Sequence, residues 1–361
     1  MKILRLYLLP LSLFCCVLPA LLAQQESLIS FYRHNWSQII PAAFPREHAE
    51  LVEVNWFFNI NARSQRQRVA VGAPRHIAVR AEYILPSKNT KSKFGLDLTK
   101  DEAGAIAQTK ARFTYAWLAQ IDYVGALAFG GSVAYNNQSI QTDKVNWQNP
   151  SVIPLLVRRD FVDFSAGVFY YSYLPNSGSG AFTRKIQQQP SEEFWYIGAS
   201  ISHAPFLTIG HIAYATPHTQ WNLIGGGTIN YGKGRGRSGI HKRLEPSVWL
   251  RWLPNISYQT IGNFPVSMDF SLRHVFKWWS KKQSNWAGNE WWFGATANTA
   301  ATAGFELGFR GWLSVGDFRF SPSHYIQVSL AYNRFRLSPK AIPQVNDVAL
   351  NLAFNLAKKP K

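Results

Sequence analysis

Residues 52–61 read VEVNWFFNIN, with Val52, Val54, Trp56, Phe58 and Ile60 on one parity and Glu53, Asn55, Phe57, Asn59 and Asn61 on the other. An extended chain points successive side chains to opposite faces, so this pattern predicts a strand with one apolar side and one mostly polar side. The same period recurs near 76–85, 93–99, 110–121, 124–135, 161–171 and 193–203. It continues near 219–231, 246–253, 264–275, 289–298, 303–314, 323–334 and 346–357. That makes roughly 14 strands, an even number, most of them near the ~9–11 residues with which a tilted strand crosses a bilayer.

Two segments show the alternation cleanly. KARFTYAWLAQI sets Ala111, Phe113, Tyr115, Trp117, Ala119 and Ile121 against Lys110, Arg112, Thr114 and Gln120. DVALNLAFNL sets Val348, Leu350, Leu352, Phe354 and Leu356 against Ala349, Asn351, Ala353 and Asn355. Helix-period apolar runs of useful length are missing from 46–357, which excludes the crossovers of a parallel α/β fold.

A soluble β-sandwich would alternate as well. Against it stand the number of strands in one series and the placement of Trp117, Tyr135, Trp195, Trp252 and Trp291 near segment ends. A long meander also leaves two sticky edges unless the first strand pairs with the last. The pattern therefore predicts an all-β fold, a transmembrane antiparallel up-and-down β-barrel over 46–357, followed by a basic tail at 358–361. Its apolar parity, including Val52, Val54, Trp56, Phe58 and Ile60, faces lipid, and Glu53, Asn55, Asn59 and Asn61 face the lumen.

The chain begins differently. Lys2 and Arg5 precede the apolar run LYLLPLSLFCCVLPALLA, which turns polar at Gln24, Gln25 and Glu26. This is the pattern of a secretory signal peptide over 1–23 with Ala23 as the last residue removed. A retained anchor would not carry Pro10 and Pro19, and a lipoprotein signal would not place Phe14 before Cys15 and Cys16. Residues 24–45 do not alternate, and SLISFYRHNWSQIIPAAFP predicts a short helix ending before Pro41. Phe31, Tyr32, Trp36, Ile39 and Ile40 are apolar enough that the segment is expected to fold into the lumen as a plug.

Composition adds two points. Aromatic residues are 15% of the chain and 14 are Trp, the surplus that membrane barrels arrange in girdles. The net charge of +18 becomes +16 once Lys2 and Arg5 are removed, so anionic partners are expected: lipopolysaccharide and acidic protein surfaces, with nucleic acid disfavoured by export. Both cysteines lie in the signal segment, so disulfides and thiolate ligands are excluded from the mature chain.

Inward positions carry Glu53, Arg80, Glu82, Lys110, Arg112, Asp163, Asp269, Arg273, Glu306 and Arg310. Mixed signs on neighbouring strands point to a hydrogen-bonded lumen network more than to an ion-selecting pore, which would use a ring of one sign. GTINYGKG at 227–234 has the two glycines and lysine of a phosphate loop, but Gly234 stands where Ser or Thr should hold magnesium. It reads as part of a flexible basic turn, GKGRGRSGIHKR. Lys233, Arg235, Arg237, Lys242 and Arg243 in that turn are candidate contacts for an acidic partner, as are the runs 62–68, 88–93 and 277–282. If β-strand one runs outward from a periplasmic N-terminus, the run 62–68 is extracellular and the other three are periplasmic. Nine His are scattered singly with no HExxH and no GxSxG, so no catalysis, metal or cofactor is expected.

Several blocks occur in an order that resembles the PorP/SprF family of type IX secretion outer-membrane proteins. They are FGLDLTKDEAGAIAQTKARFTYAW (94–117), DFSAGVFYYS (163–172), FWYIGASISH (194–203), LEPSVWLRW (244–252), WWFGAT (291–296) and AGFELGF (303–309). The turn with Asp101 and Gly104, the strand with Ser165 and Gly167, and the strand ending in His203 match the family pattern. IIPAAFP keeps Pro41 and Ala42 but lacks the family's Asn and following Gly, and PQVNDVALNL replaces its Gly and His-Glu before the last strand. The resemblance implies a non-enzymatic barrel in the outer membrane of a Gram-negative bacterium. It also implies a secreted or surface protein with a type IX C-terminal domain, and periplasmic components of the machinery, as partners. A barrel moving a small solute is the alternative.

Overall fold

The computed structural model describes residues 35–44, 54–66, 75–87, 90–103, 106–121, 125–140, 158–173, 194–209, 219–232, 238–252, 266–280, 289–298, 302–312, 325–335 and 345–358. The alternating segments form β1 (Val54–Arg66), β2 (Arg75–Pro86), β3 (Thr90–Ala103), β4 (Ile106–Ile121), β5 (Gly125–Ile140), β6 (Arg158–Tyr173) and β7 (Phe194–Ile209). They continue as β8 (Gln220–Gly232), β9 (Ser238–Trp252), β10 (Val266–Ser280), β11 (Asn289–Asn298), β12 (Thr302–Trp312), β13 (Tyr325–Phe335) and β14 (Val345–Lys358). Each pairs antiparallel with its sequence neighbours and β1 pairs with β14, closing a 14-stranded barrel with no free edge. At the seam Asn59 Nδ2 donates to Asn351 Oδ1 at 2.8 Å on the inner face.

The two parities separate cleanly. Trp56, Phe58 and Ile60 are exposed on the outside of β1, while Phe57, Asn59, Asn61 and Arg63 are buried inside. Mid-strand, Leu96 on β3 pairs with Phe113 on β4, which pairs with Val133 on β5, and all three are exposed outward. The outer aromatics meet across strands: Trp56 with Tyr83 (4.5 Å between ring centroids), Trp291 with Phe309 (4.4 Å) and Trp221 with Trp252 (6.2 Å). In a soluble sandwich an outward face of this kind would be an aggregation site; here it is the surface that meets lipid.

Several strands run beyond their expected bounds. β9 begins at Ser238 rather than 246, so the second half of the basic turn is strand. Arg63, Lys91 and Lys93 also leave their expected basic loops and lie on inner strand faces. Their outward neighbours Ser64, Thr90 and Ser92 are polar near the rim, so the apolar half of the alternation disappears there while the backbone keeps pairing. β7 runs on to Ile209, and its pairing with β6 shifts register near Asp163, opposite Pro205. Proline has no N–H to give the ladder, so pairing bulges at that point.

Candidate functional site

The lumen of the β2–β9 side is filled by the chain's own residues 35–44. Asn35, Trp36 and Ser37 open a single helical turn, α1 (Trp36–Ile39), with the Ile40 N–H donating to the Trp36 carbonyl at 2.7 Å. The turn stops at Ile40, which is extended at φ −121° and ψ 106° because the following residue is Pro41. The Ala43 N–H then donates to the Ile40 carbonyl at 2.9 Å, closing a tight turn over Pro41 and Ala42. Every residue of the segment except Gln38 is buried.

Apolar wall residues receive it. Trp36 packs on Tyr196 and Phe169 (4.2 and 5.5 Å between centroids), in one cluster with Ile39, Ile40, Phe44, Ile84, Leu118, Tyr171, Phe194 and Trp249. Three glycines let the segment lie directly on the wall. A Cβ on Gly130 would come within 2.7 Å of the backbone N and Cα of Ala42, and one on Gly167 within 2.9 Å of Ile40 Cγ2. One on Gly198 would meet the Phe169 ring and Ile40 Cδ1. A side chain at Gly130 would therefore clash with main chain, which has no flexible end to move aside.

Charge holds the other side. Both oxygens of Asp97 are used: Oδ1 accepts from Arg80 Nε at 2.6 Å, and Oδ2 accepts from Arg112 Nε and Nη2 at 3.2 and 3.0 Å. The same two guanidiniums reach the segment. Arg80 Nη1 donates to Ser37 Oγ at 2.6 Å, Arg80 Nη2 to Asn35 Oδ1 at 3.5 Å, and Arg112 Nη1 to the Gln38 carbonyl at 2.5 Å. Ser37 Oγ donates in turn to Glu82 Oε1 at 2.6 Å, and Lys93 bridges Glu82 and the Ala43 carbonyl. Charges taken out of water are stable only when paired and hydrogen-bonded like this, so the segment and the network complete each other.

A second network lines the β9–β13 wall. Arg243 donates to Glu245 at 2.8 Å and with both terminal nitrogens to Glu290 at 3.1 Å. Lys277 and Arg310 approach Glu290 at 4.0 and 3.5 Å, and Arg310 also donates to Gln327 Oε1. Arg273 and the Trp292 indole N–H share Glu306, at 2.6 and 2.7 Å. Arg251 pairs with Asp269 at 2.6 Å and lies over the Trp249 ring.

Of the residues singled out from sequence, Arg80, Glu82 and Arg112 meet around the lumenal segment, and Arg273, Glu306 and Arg310 lie in the second network. Asp269 joins Arg251, and Asp163 accepts from Asn136 at 3.1 Å and faces Lys110 at 3.6 Å. Asp101 pairs with His76, and Ser165 and Gly167 lie on the inner face of β6. His203 lies on β7. Glu53, Gly104, Lys233, Arg235 and Arg237 fall outside the described residues, as does the side chain of His203. Arg243 corrects the reading of a basic turn offered to a partner, because the early start of β9 turns it inward to its ion pairs. Lys242, one residue away, is exposed on the opposite face.

Sequence reasoning missed Asp97, Ser37, Glu245, Arg251 and Glu290, and it placed Lys93 and Lys277 in basic runs offered to a partner, whereas β3 and β10 turn them inward to Glu82 and Glu290. Asp97 had a usable signal, since it shares the inward parity between Leu96 and Leu98. Among the described residues no group of three or more His, Cys, Asp and Glu is placed to hold a metal ion.

These features define a class: a closed transmembrane β-barrel of the outer-membrane type, its lumen occupied in part by its own N-terminal residues. The fold resembles that of the Pseudomonas putida toluene transporter TodX, with a TM-score of 0.50 at 8% identity, covering 94% of this chain and 96% of that one. The deltaS2S3 mutant of TodX, a monoaromatic hydrocarbon channel, gives 0.52 at 8% identity, covering 94% and 97%. At that identity the likeness concerns fold alone, and no curated protein matches in sequence. The family model described as type IX secretion system membrane protein PorP/SprF matches residues 21–332, and the chain belongs to this family.

Proposed function

We propose that the protein is a non-enzymatic outer-membrane barrel that holds a secreted or surface protein through that protein's type IX C-terminal domain. In this role it supports secretion, the surface anchoring of adhesins or other cargo, and gliding motility. The observation that carries the reading is the family match over residues 21–332. The occupied lumen supports it, since a wall already satisfied by the chain's own segment is suited to a scaffold.

In this reading residues 1–23 direct export to the outer membrane of a Gram-negative cell, 24–45 plug the lumen and 46–357 form the barrel. The antiparallel order puts the turns after β2, β8 and β10 at the rim where β1 begins. With that rim in the periplasm, Lys233, Arg235, Arg237 and the outward Lys242 meet acidic surfaces of periplasmic components of the machinery. The opposite rim meets lipopolysaccharide and the cargo.

Purification of a tagged chain in mild detergent tests this. A protein with a type IX C-terminal domain, or a periplasmic component of the machinery, is expected to co-purify in stoichiometric amount. A chain that purifies alone and gives solute-dependent conductance in a planar bilayer would overturn the reading in favour of a small-solute channel.

A further inference from the structure

We propose that the inner wall of β3–β7 is a binding site for a linear peptide, with residues 35–44 as its resident occupant and a partner's apolar segment as its competitor. The proposal goes beyond the secretion role, because it rests only on how the wall holds what is now in it.

The wall reads main chain. The carbonyl of Gln38 accepts from Arg112, that of Ile39 from Ser200 Oγ at 2.8 Å, that of Ala43 from Lys93, and that of Phe44 from Tyr171 at 2.9 Å. The Phe44 N–H donates back to the Tyr171 hydroxyl oxygen at 2.6 Å. These groups come from β3, β4, β6 and β7, and they contact atoms that every peptide carries. Gly130, Gly167 and Gly198 remove the side chains that would hold a backbone away.

Side-chain selection is confined to a few places. Trp36 enters the aromatic cluster of Phe169 and Tyr196, Ile40 rests on Gly167 and Gly198, and Phe44 lies 5.2 Å beneath the Lys93 ammonium. Ala42 and Ala43 are fully buried, so larger side chains at these two positions would have to push the wall aside. The partner is thereby specified: an aromatic residue, an aliphatic one four positions later with Pro and two small residues following, and an aromatic four positions after the aliphatic.

Residues 45–53 tether the resident to β1, which gives it an effective concentration of millimolar order over a free competitor. Cutting that tether should remove the advantage. The test inserts a protease recognition sequence between residues 45 and 53 and nicks the folded full-length chain in detergent. A fluorescent peptide of residues 35–44, NWSQIIPAAF, is then titrated and read by anisotropy.

The nicked chain is expected to take up the peptide saturably, with at least tenfold less uptake by the intact chain and none of a peptide of reversed order. Ser200→Ala, which removes one carbonyl contact, should weaken uptake about fivefold, and Gly130→Val should block it. If Gly130→Val fails to assemble, Ser200→Ala still reads the wall. No saturable uptake by the nicked chain, or equal uptake of the reversed peptide, would overturn the proposal. Either result is independent of whether a secreted partner co-purifies.

Discussion

Asp97→Ala is expected to lower the stability of the assembled barrel by about 3–5 kcal/mol, the cost of stranding a buried charge by removing its partner. Asp97 is 3% exposed and its two oxygens hold Arg80 and Arg112, themselves 1% and 7% exposed. Without the carboxylate, two guanidiniums lie together in a dry wall with only neutral acceptors and the more distant Glu82, which Lys93 also engages. The loss extends to the lumenal segment, because the same arginines grip Ser37 and Gln38. Asp97→Asn keeps one acceptor and should fall between wild type and Asp97→Ala. The measurement is the denaturant or heat midpoint of the folded-to-unfolded gel shift, and an Asp97→Ala shift below about 1 kcal/mol would show that the network carries little.

Phe113→Arg is expected to cost about 2–4 kcal/mol of assembly free energy, because the site lies mid-strand on the face read as lipid-facing. Phe113 is 52% exposed and its cross-strand partners Leu96 and Val133 are also outward, so an arginine there finds hydrocarbon and no carboxylate. Gln108→Arg on the same strand is the control. Gln108 lies on the lumenal face opposite Asp101, and a positive charge there should change stability by no more than about 0.5 kcal/mol. Equal tolerance of the two substitutions in folding assays into lipid vesicles would mean that β4 is not oriented as described.

The fourteen strands were legible because burial on one face and lipid on the other impose a strict period of two on every spanning segment. Where that pressure lapses, the reading shortened. Lys91 and Lys93 flank the polar Ser92 near a rim, and His241 and Arg243 flank Lys242, so neither stretch shows an apolar side. Inward charges such as Arg80, Glu82 and Arg310 follow from parity alone.

Which charges meet depends on register, and alternation carries no information about register. Asp97 faces both Arg80 and Arg112 only because β3 pairs Asp97 with Arg80 on one side and Arg112 on the other. The segment 35–44 was expected in the lumen from its apolar content. Its seat was not readable, since Gly130, Gly167 and Gly198 look like ordinary strand glycines until three strands are aligned side by side.

The claim on which the rest depends is that residues 35–44 lie against the inner wall of the membrane-assembled protein. Paired cysteines test it directly. A Cβ at Gly167 would lie 2.9 Å from Ile40 Cγ2 and 3.0 Å from the Ala199 carbonyl oxygen, so Ile40→Cys with Gly167→Cys brings two thiols to bonding range, with a shift of a few tenths of an ångström in β7 and a smaller residue at 40 making the room. Oxidation in isolated outer membranes, with Cys15 and Cys16 as the only other cysteines in the sequence, should yield the 40–167 linked peptide in high yield by mass spectrometry. Ile40→Cys with Val168→Cys, one residue along and facing outward, should yield none. Absence of the 40–167 link, or equal linking at 168, would contradict a lumen filled by the chain's own segment.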